Sequence, residues 1–190
     1  MDFEDTPEEA AYRAKVRAWL KENAPARDDA QRLRRTQTED IIEEGKAWQA
    51  KKAAAGYAAI TKPKEWGGGG GTVMQEVIFN QEEDALGLYY GIYAVGIGMC
   101  VPTVLAYGDD ETKTLLVPPS IRGEKLWSQV FSEPSAGSDL GALRATATPN
   151  GDGTYSLTGQ KIFITWGDHD AAPNILHLVL ARLPDAPAGS

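Results

Sequence analysis

The sequence predicts an α+β protein, with an all-α N-terminal domain over residues 1–124 and an incomplete antiparallel β domain over residues 125–190. Three observations carry that prediction. Up to Gly123, apolar residues recur at helical spacing between capping and breaking residues. Beyond it the pattern alternates, and Asn150-Gly151-Asp152-Gly153 separates two alternating runs as a hairpin turn does. The 190 residues are 42% hydrophobic and 24% charged, a globular balance that supplies a real core.

The helices follow in order. Thr6-Pro7-Glu8-Glu9 is a capping box with proline at the first helical position, so a helix starts at Pro7. Tyr12, Val16, Trp19 and Leu20 form its apolar face, and Asn23-Ala24-Pro25 ends it. Arg27–Arg35 is charged and nearly free of core residues, which predicts a mobile surface segment. A second helix is expected from about Thr38 to Ala55, with Ile41, Ile42, Trp48 and Ala55 inward and Gly56 as its C-terminal cap. Gly67–Gly71 are five consecutive glycines with no following Lys-Ser/Thr and no strand before them, which predicts a flexible turn and not a nucleotide site. Thr72-Val73-Met74-Gln75 opens another helix, with Val77, Ile78 and Leu86 as its inner face. Gly91–Tyr107 is small-residued and apolar nearly all round, hence a buried helix, kinked or broken at Pro102. Gly96 and Gly98 there permit close helix packing, the alternative being a narrow slot for an apolar ligand tail. Gly108 caps that helix, and Asp109 opens a short one through Leu116 that Pro118-Pro119 should stop.

Strands are expected at Leu126–Phe131, Ala145–Thr148, Tyr155–Thr158, Lys161–Thr165 and Ile175–Arg182. An antiparallel sheet of about four strands would then end with an unpaired edge, so the β domain reads as cut in mid-course.

Charge and cysteine usage remove several function classes. Nineteen Lys+Arg against 27 Asp+Glu give a net charge of −8, which disfavours nucleic-acid binding. A single cysteine, Cys100, excludes an internal disulfide and a four-cysteine zinc site, and it reads as an inert core residue. His177 has no partner ligands at metal-binding spacing and reads as a packed or edge histidine, so no metal is expected. The five tryptophans read as core anchors. The apolar stretch Tyr89–Tyr107 is too short and too broken by glycine and proline to span a membrane, and the acidic N-terminus is not a signal peptide. A soluble cytoplasmic protein is the expectation.

The segment most informative about chemistry is Gln129-Val130-Phe131-Ser132-Glu133-Pro134-Ser135-Ala136-Gly137-Ser138-Asp139-Leu140, a strand running into a turn rich in small hydroxyl residues. Such a turn can offer neutral N–H and O–H donors to a pyrophosphate; it can equally be an ordinary Pro/Gly/Ser turn.

Phe131–Leu140 (FSEPSAGSDL), followed by Gly159-Gln160-Lys161-Ile162-Phe163-Ile164-Thr165, resembles the acyl-CoA dehydrogenase family, whose motifs commonly read T/S-E-P-x-A-G-S-D and G-x-K-x-W/F-I-T. The resemblance extends in family order through Gly56-Tyr57 to Gly70, Ile78–Glu83, and Gly96–Leu105 with Gly108. Phe163 stands where Trp is frequent, and Trp166 where a small or polar residue is usual.

The resemblance implies a helical domain, a middle β domain and a C-terminal helical bundle, of which this chain matches the first and the start of the second. It implies FAD as cofactor, lined by Gln129, Phe131, Ser132, Gly137 and Ser138 from the first motif and Phe163, Ile164 and Thr165 from the second. Ser132 would bond the isoalloxazine edge, and Ser138 would lie near the pyrophosphate and the CoA of the substrate. Phe163 would pack beside the ring, and Thr165 would lie near its reactive nitrogen. The implied reaction is α,β-dehydrogenation of an acyl-CoA in fatty acid metabolism, with an electron-transfer flavoprotein as acceptor and a homo-oligomer as the full-length form. The family's base is a glutamate of the C-terminal domain, so no catalytic residue is named here. Glu133 and Asp139 read as turn-stabilising, and Asp168-His169 as a solvated loop. The alternatives are an acyl-CoA oxidase or flavin monooxygenase of the same fold, or a truncated, non-catalytic homologue needing a partner chain.

Overall fold

The computed structural model describes residues 4–26, 39–88 and 91–187. Among them the chain forms α1 (Pro7–Asn23), α2 (Glu39–Ala54), α3 (Val73–Asp84), a π-helical turn (Gly96–Cys100) continuing into α4 (Val101–Tyr107), and α5 (Asp110–Ile121). The strands are β1 (Leu126–Val130), β2 (Thr146–Pro149), β3 (Tyr155–Thr158) and β4 (Ile175–Val179). The α+β class and the helix-then-strand order are as expected; the segment Arg27–Arg35 lies outside the described residues.

Helix starts follow the sequence closely. Thr6 Oγ1 accepts the Glu9 N–H at 3.3 Å and the Glu9 carboxylate accepts the Thr6 N–H at 2.7 Å. The same reciprocal pair joins Thr72 and Gln75, and Asp109 accepts the Thr112 N–H at 2.7 Å. Thr6→Ala is expected to cost about 1 kcal/mol, read as a lowered midpoint in urea with an unchanged slope.

Two clusters make the helical core. Val16, Leu20, Trp48, Ile60, Phe79 and Leu88 form one, with Trp19 and Tyr57 against it. Its aromatic rings are in contact, Trp19 lying 5.3 Å from Trp48 and Tyr57 stacking on Phe79 at 4.8 Å. Ala59, Cys100, Val101, Val104, Val117, Ile121 and Trp127 form the second. Burial pushes the Cys100 thiol up to about 11, so it is an unreactive core residue. Trp127 comes from β1, and Leu176 and Leu178 of β4 pack on the same cluster, so this strand pair is seated directly on the helices.

Several expectations are corrected. Ala55 and Val77 are exposed; Ile78 and its neighbour Phe79 are the buried apolar residues of α3. The 96–107 segment is buried on one face only, at Gly96, Cys100, Val101 and Val104, while Met99 and Tyr107 face outward. Its closest approach is at Gly96, where a Cβ would sit 2.9 Å from the Trp127 ring, so the close-packing reading holds there. Pro102 is the second residue of α4, directly after the π-helical turn, so the helix changes geometry at the proline as expected. Pro118 and Pro119 do not stop α5, which runs through both to Ile121. Burial of Val117, Ser120 and Ile121 compensates, and Ser120 secures the last turn by donating to the Leu116 carbonyl at 2.6 Å and accepting from Trp127 Nε1 at 2.7 Å. The Gly67–Gly71 turn is not loose: all five N–H groups donate, to Lys64, Pro63, Ala59, Lys62 and Ile60 carbonyls in turn, at 2.7–3.0 Å.

The β half also differs in detail. β2 and β3 form the expected antiparallel hairpin, with Thr146 opposite Thr158. β1 and β4 instead pair in parallel, Leu126 to Ile175 through Val130 to Val179. The connection between them contains the whole hairpin, long enough for a crossover. Lys161–Thr165 is not a strand. Phe163 and Trp166 have φ of 56° and 58°, a left-handed geometry that breaks extension twice within four residues.

Candidate functional site

The two motif segments lie side by side. β1 delivers Gln129, half-buried like Phe131 and Ser132, and the Ser132 carbonyl accepts the Ile162 N–H at 3.0 Å. Glu133-Pro134-Ser135-Ala136 then closes a tight turn, with Glu133 and Ala136 exchanging N–H···O bonds of 2.8 and 3.1 Å. Proline presets the turn's first central residue, and the buried Ala136 pins it to the body of the protein. Gly137, Ser138 and Asp139 leave the turn exposed, and a Cβ on Gly137 would meet nothing within 4 Å.

Among the described residues, the N–H groups of Gly137, Ser138 and Asp139 and the hydroxyls of Ser132, Ser135, Ser138 and Thr165 donate to no protein acceptor. They constitute a set of neutral donors on an open surface, chemistry that suits an anionic phosphate ester without adding charge. Phe163 is 92% exposed and holds its ring in the open from a left-handed backbone. Ile164 is half-buried in the same loop and Thr165 exposed. A donor-rich turn and a bare aromatic ring, on segments that meet through Lys161 and Ile162, suit an aromatic cofactor that carries a pyrophosphate, such as FAD.

Glu133 is the most constrained carboxylate of the site. It is 6% exposed and accepts from the Arg144 N–H at 2.6 Å, the Ala145 N–H at 2.9 Å and Lys161 Nζ at 2.8 Å. Burial alone would raise its pKa; the Lys161 ammonium and the two backbone donors outweigh that and hold it at about 2. With three donors engaged, it is a turn-holding residue and not a free base, the role expected from the sequence. Lys161 donates also to the carbonyls of Phe131 at 3.0 Å and Leu180 at 2.7 Å.

Lys161 and Arg182 were given no role by sequence reasoning. Arg182 donates to the carbonyls of Gly141, Leu143 at 3.0 Å and Pro187 at 2.7 Å, closing the loop that follows the first motif. The signal for Lys161 is its place as the lysine of the second motif, and for Arg182 a basic residue closing an otherwise apolar strand.

Alternate residues of the β1–β4 pair serve two sides. Trp127, Leu176 and Leu178 face the helices, while Val130, His177 and Val179 line an apolar pocket of about 270 Å³ with Ala145, Leu157 and Ile164. His177 is exposed, its Nδ1 lying 2.5 Å from the buried Ser128 hydroxyl. His169 departs from the solvated reading: its ring sits edge-on to Trp166 at 5.3 Å and its Nδ1 accepts the Ala171 N–H at 3.2 Å.

Comparison with known proteins shows the family. Residues 6–124 match the family described as acyl-CoA dehydrogenase, N-terminal domain. The chain is 37% identical to 3-methylmercaptopropionyl-CoA dehydrogenase of Ruegeria pomeroyi over 70% of its own length and 23% of the relative's. With acyl-CoA dehydrogenase IpdE1 of Mycobacterium tuberculosis it shares 32% identity over 80% of this chain and 40% of that one. Among solved structures, a chain of the ChsE4-ChsE5 complex from Mycobacterium tuberculosis superposes with a TM-score of 0.73 at 28% identity, covering 97% of this chain and 44% of that chain. The chain thus spans less than half the length of these relatives. The helical match over most of the chain, the fold, and the two motifs meeting at one surface lead to one conclusion: this chain belongs to the acyl-CoA dehydrogenase family.

Proposed function

We propose that this chain is the N-terminal helical domain (1–124) and the first part of the β domain (125–190) of an FAD-dependent acyl-CoA dehydrogenase. The observation that supports the reading is the contact between the two motif segments, Lys161 and Ile162 bonding to residues 131–133, with unpartnered neutral donors on the one and the exposed Phe163 ring on the other. In this reading Gln129, Phe131, Ser132, Gly137 and Ser138 line the cofactor, with Ser138 also near the CoA of the substrate. Phe163 packs beside the flavin ring, and Ile164 and Thr165 complete that wall.

The flavin, when bound, supplies the acceptor for the hydride leaving the β-carbon of the thioester. The chain's own residues bind and orient it. N–H and O–H donors aimed at the cofactor would offset the negative charge that builds on it, and would do so more strongly once the bound cofactor has displaced water from this surface. The α-proton needs a carboxylate base, and Glu133 cannot serve, being locked to three donors. The family resemblance implies a glutamate of the C-terminal domain as the base, in the portion of the relatives beyond this chain's span. An electron-transfer flavoprotein as acceptor, assembly into a homo-oligomer and a cytoplasmic location accompany the reading as expectations; no helix among the described residues is long and apolar enough to cross a membrane.

A second reading, a subunit completed by a partner chain, has one specific observation in its favour. Among the described residues β1 and β4 are paired only with each other, leaving edges that another polypeptide could cover.

The test is the visible flavin spectrum during anaerobic addition of acyl-CoA thioesters to the FAD-reconstituted chain. Bound flavin that stays oxidised, and bleaches once the chain carries its C-terminal continuation, is the expected result. Bleaching by the 190-residue chain alone would overturn the assignment of the base. Absence of flavin from the longer protein would overturn the cofactor.

A further inference from the structure

Lys161 sits where the two motif segments join, and its surroundings are unusual for a lysine. Its side chain is 13% exposed, and its ammonium has three acceptors within 3.0 Å: the Phe131 carbonyl, Glu133 Oε1 and the Leu180 carbonyl. An ammonium has three donors, so all are used. Each acceptor belongs to a different piece of the site: the end of β1, the Glu133–Ala136 turn, and the chain leaving β4. Glu133 extends the junction to the start of β2 through the Arg144 and Ala145 N–H groups. One residue further on, the Ile162 N–H closes on the Ser132 carbonyl. No other described side chain joins so many parts of the site.

The neutral donors of the turn point at nothing in the protein, so no ligand-independent contact fixes their direction. Phe163 likewise has no packing partner to hold its ring. Their relative placement depends on the segments beneath them.

We infer that Lys161 is a positioning residue: by spending its three donors on Phe131, Glu133 and Leu180, it sets the turn donors and the Phe163 ring at the spacing the flavin requires. The inference rests on the cofactor reading above. It assigns the ion pair a role in cofactor affinity and spectrum beyond that of holding the fold.

The test compares FAD titrations of the full chain with those of Lys161→Met and Lys161→Arg, followed by flavin fluorescence and by the fine structure of the flavin absorption band. Helical circular dichroism is recorded for each. Arginine keeps the charge and its attraction for Glu133, but its longer, planar guanidinium cannot place its donors where the compact tetrahedral ammonium of Lys161 meets the Phe131, Glu133 and Leu180 acceptors. The expected result is a Kd raised about tenfold or more in Lys161→Met and severalfold in Lys161→Arg, with altered band structure in both and the helical signal retained. Kd and band structure within twofold of the parent in both variants would overturn the inference, as would losses that track the helical signal alone. FAD taken up by neither the parent chain nor the longer protein would overturn the cofactor reading, and this inference with it.

Discussion

Gly68→Ala is expected to destabilise the helical half by about 3 kcal/mol or more. A Cβ at Gly68 would stand 2.2 Å from the Lys62 carbonyl oxygen and 2.4 Å from its carbon. Both are backbone atoms, so no rotamer change relieves the clash. The strand of chain they belong to is itself pinned: the Gly68 N–H bonds Pro63, and the Gly70 N–H returns to Lys62. Moving Lys62 would also disturb Ile60, whose carbonyl accepts the Gly71 N–H and whose side chain is in the aromatic core cluster. The check is a urea titration followed by tryptophan emission, with Gly137→Ala as control. Gly137 has open space where its Cβ would go, so its substitution should leave stability within about 0.5 kcal/mol. If Gly137 lines the flavin as proposed, the same control should still weaken FAD binding, separating fold from site in one variant.

Glu133→Ala is expected to cost about 3–5 kcal/mol, the usual penalty for breaking a buried pair from one side. It would leave the Lys161 ammonium with two carbonyls and no counter-charge, and the Arg144 and Ala145 N–H groups without their acceptor. A pH signature distinguishes the ion pair from simple packing. The folded-state carboxyl lies at about 2, below the ordinary 4.5, so the folded state favours the ionised form. Its stabilising contribution is therefore complete above pH 4.5 and is lost as pH falls from there through about 2. The stability gap between the parent and Glu133→Gln should be constant from neutral pH down to about 4.5 and should narrow below it. A gap independent of pH across that window would show that the carboxylate charge plays no part.

Much of this molecule was legible from sequence because the deciding interactions are local. The caps at Thr6, Thr72 and Asp109 each bond an N–H three residues on, so the residue types alone set the helix starts. The Asn150–Gly153 turn fixed the hairpin for the same reason, its positive-φ glycines at 151 and 153 being supplied by the chain itself. The two motifs were recognisable from their own letters.

Errors gathered where distant parts of the chain compete with local preference. Pro118-Pro119 reads as a stop, yet α5 continues because Ile121 and Ser120 are needed in the core, and Gln49, 72 residues away, bonds the Ile121 carbonyl. The glycine run reads as loose, yet neighbouring carbonyls order every N–H in it. Lys161–Thr165 is β-rich like a strand, but Lys161 is drawn to Glu133, 28 residues earlier, and the chain beyond it turns left-handed twice.

The sequence by itself determined the class of the protein, where its helices begin, its hairpin and the family motifs, because propensity, capping and turn chemistry act within a few residues. Only the tertiary structure decided that β1 and β4 run parallel, that Trp127 joins the helical core, and that Lys161 ties the two motifs together. Those depend on which segments meet when apolar faces are buried, and a buried ammonium must then find its acceptors wherever the fold has placed them.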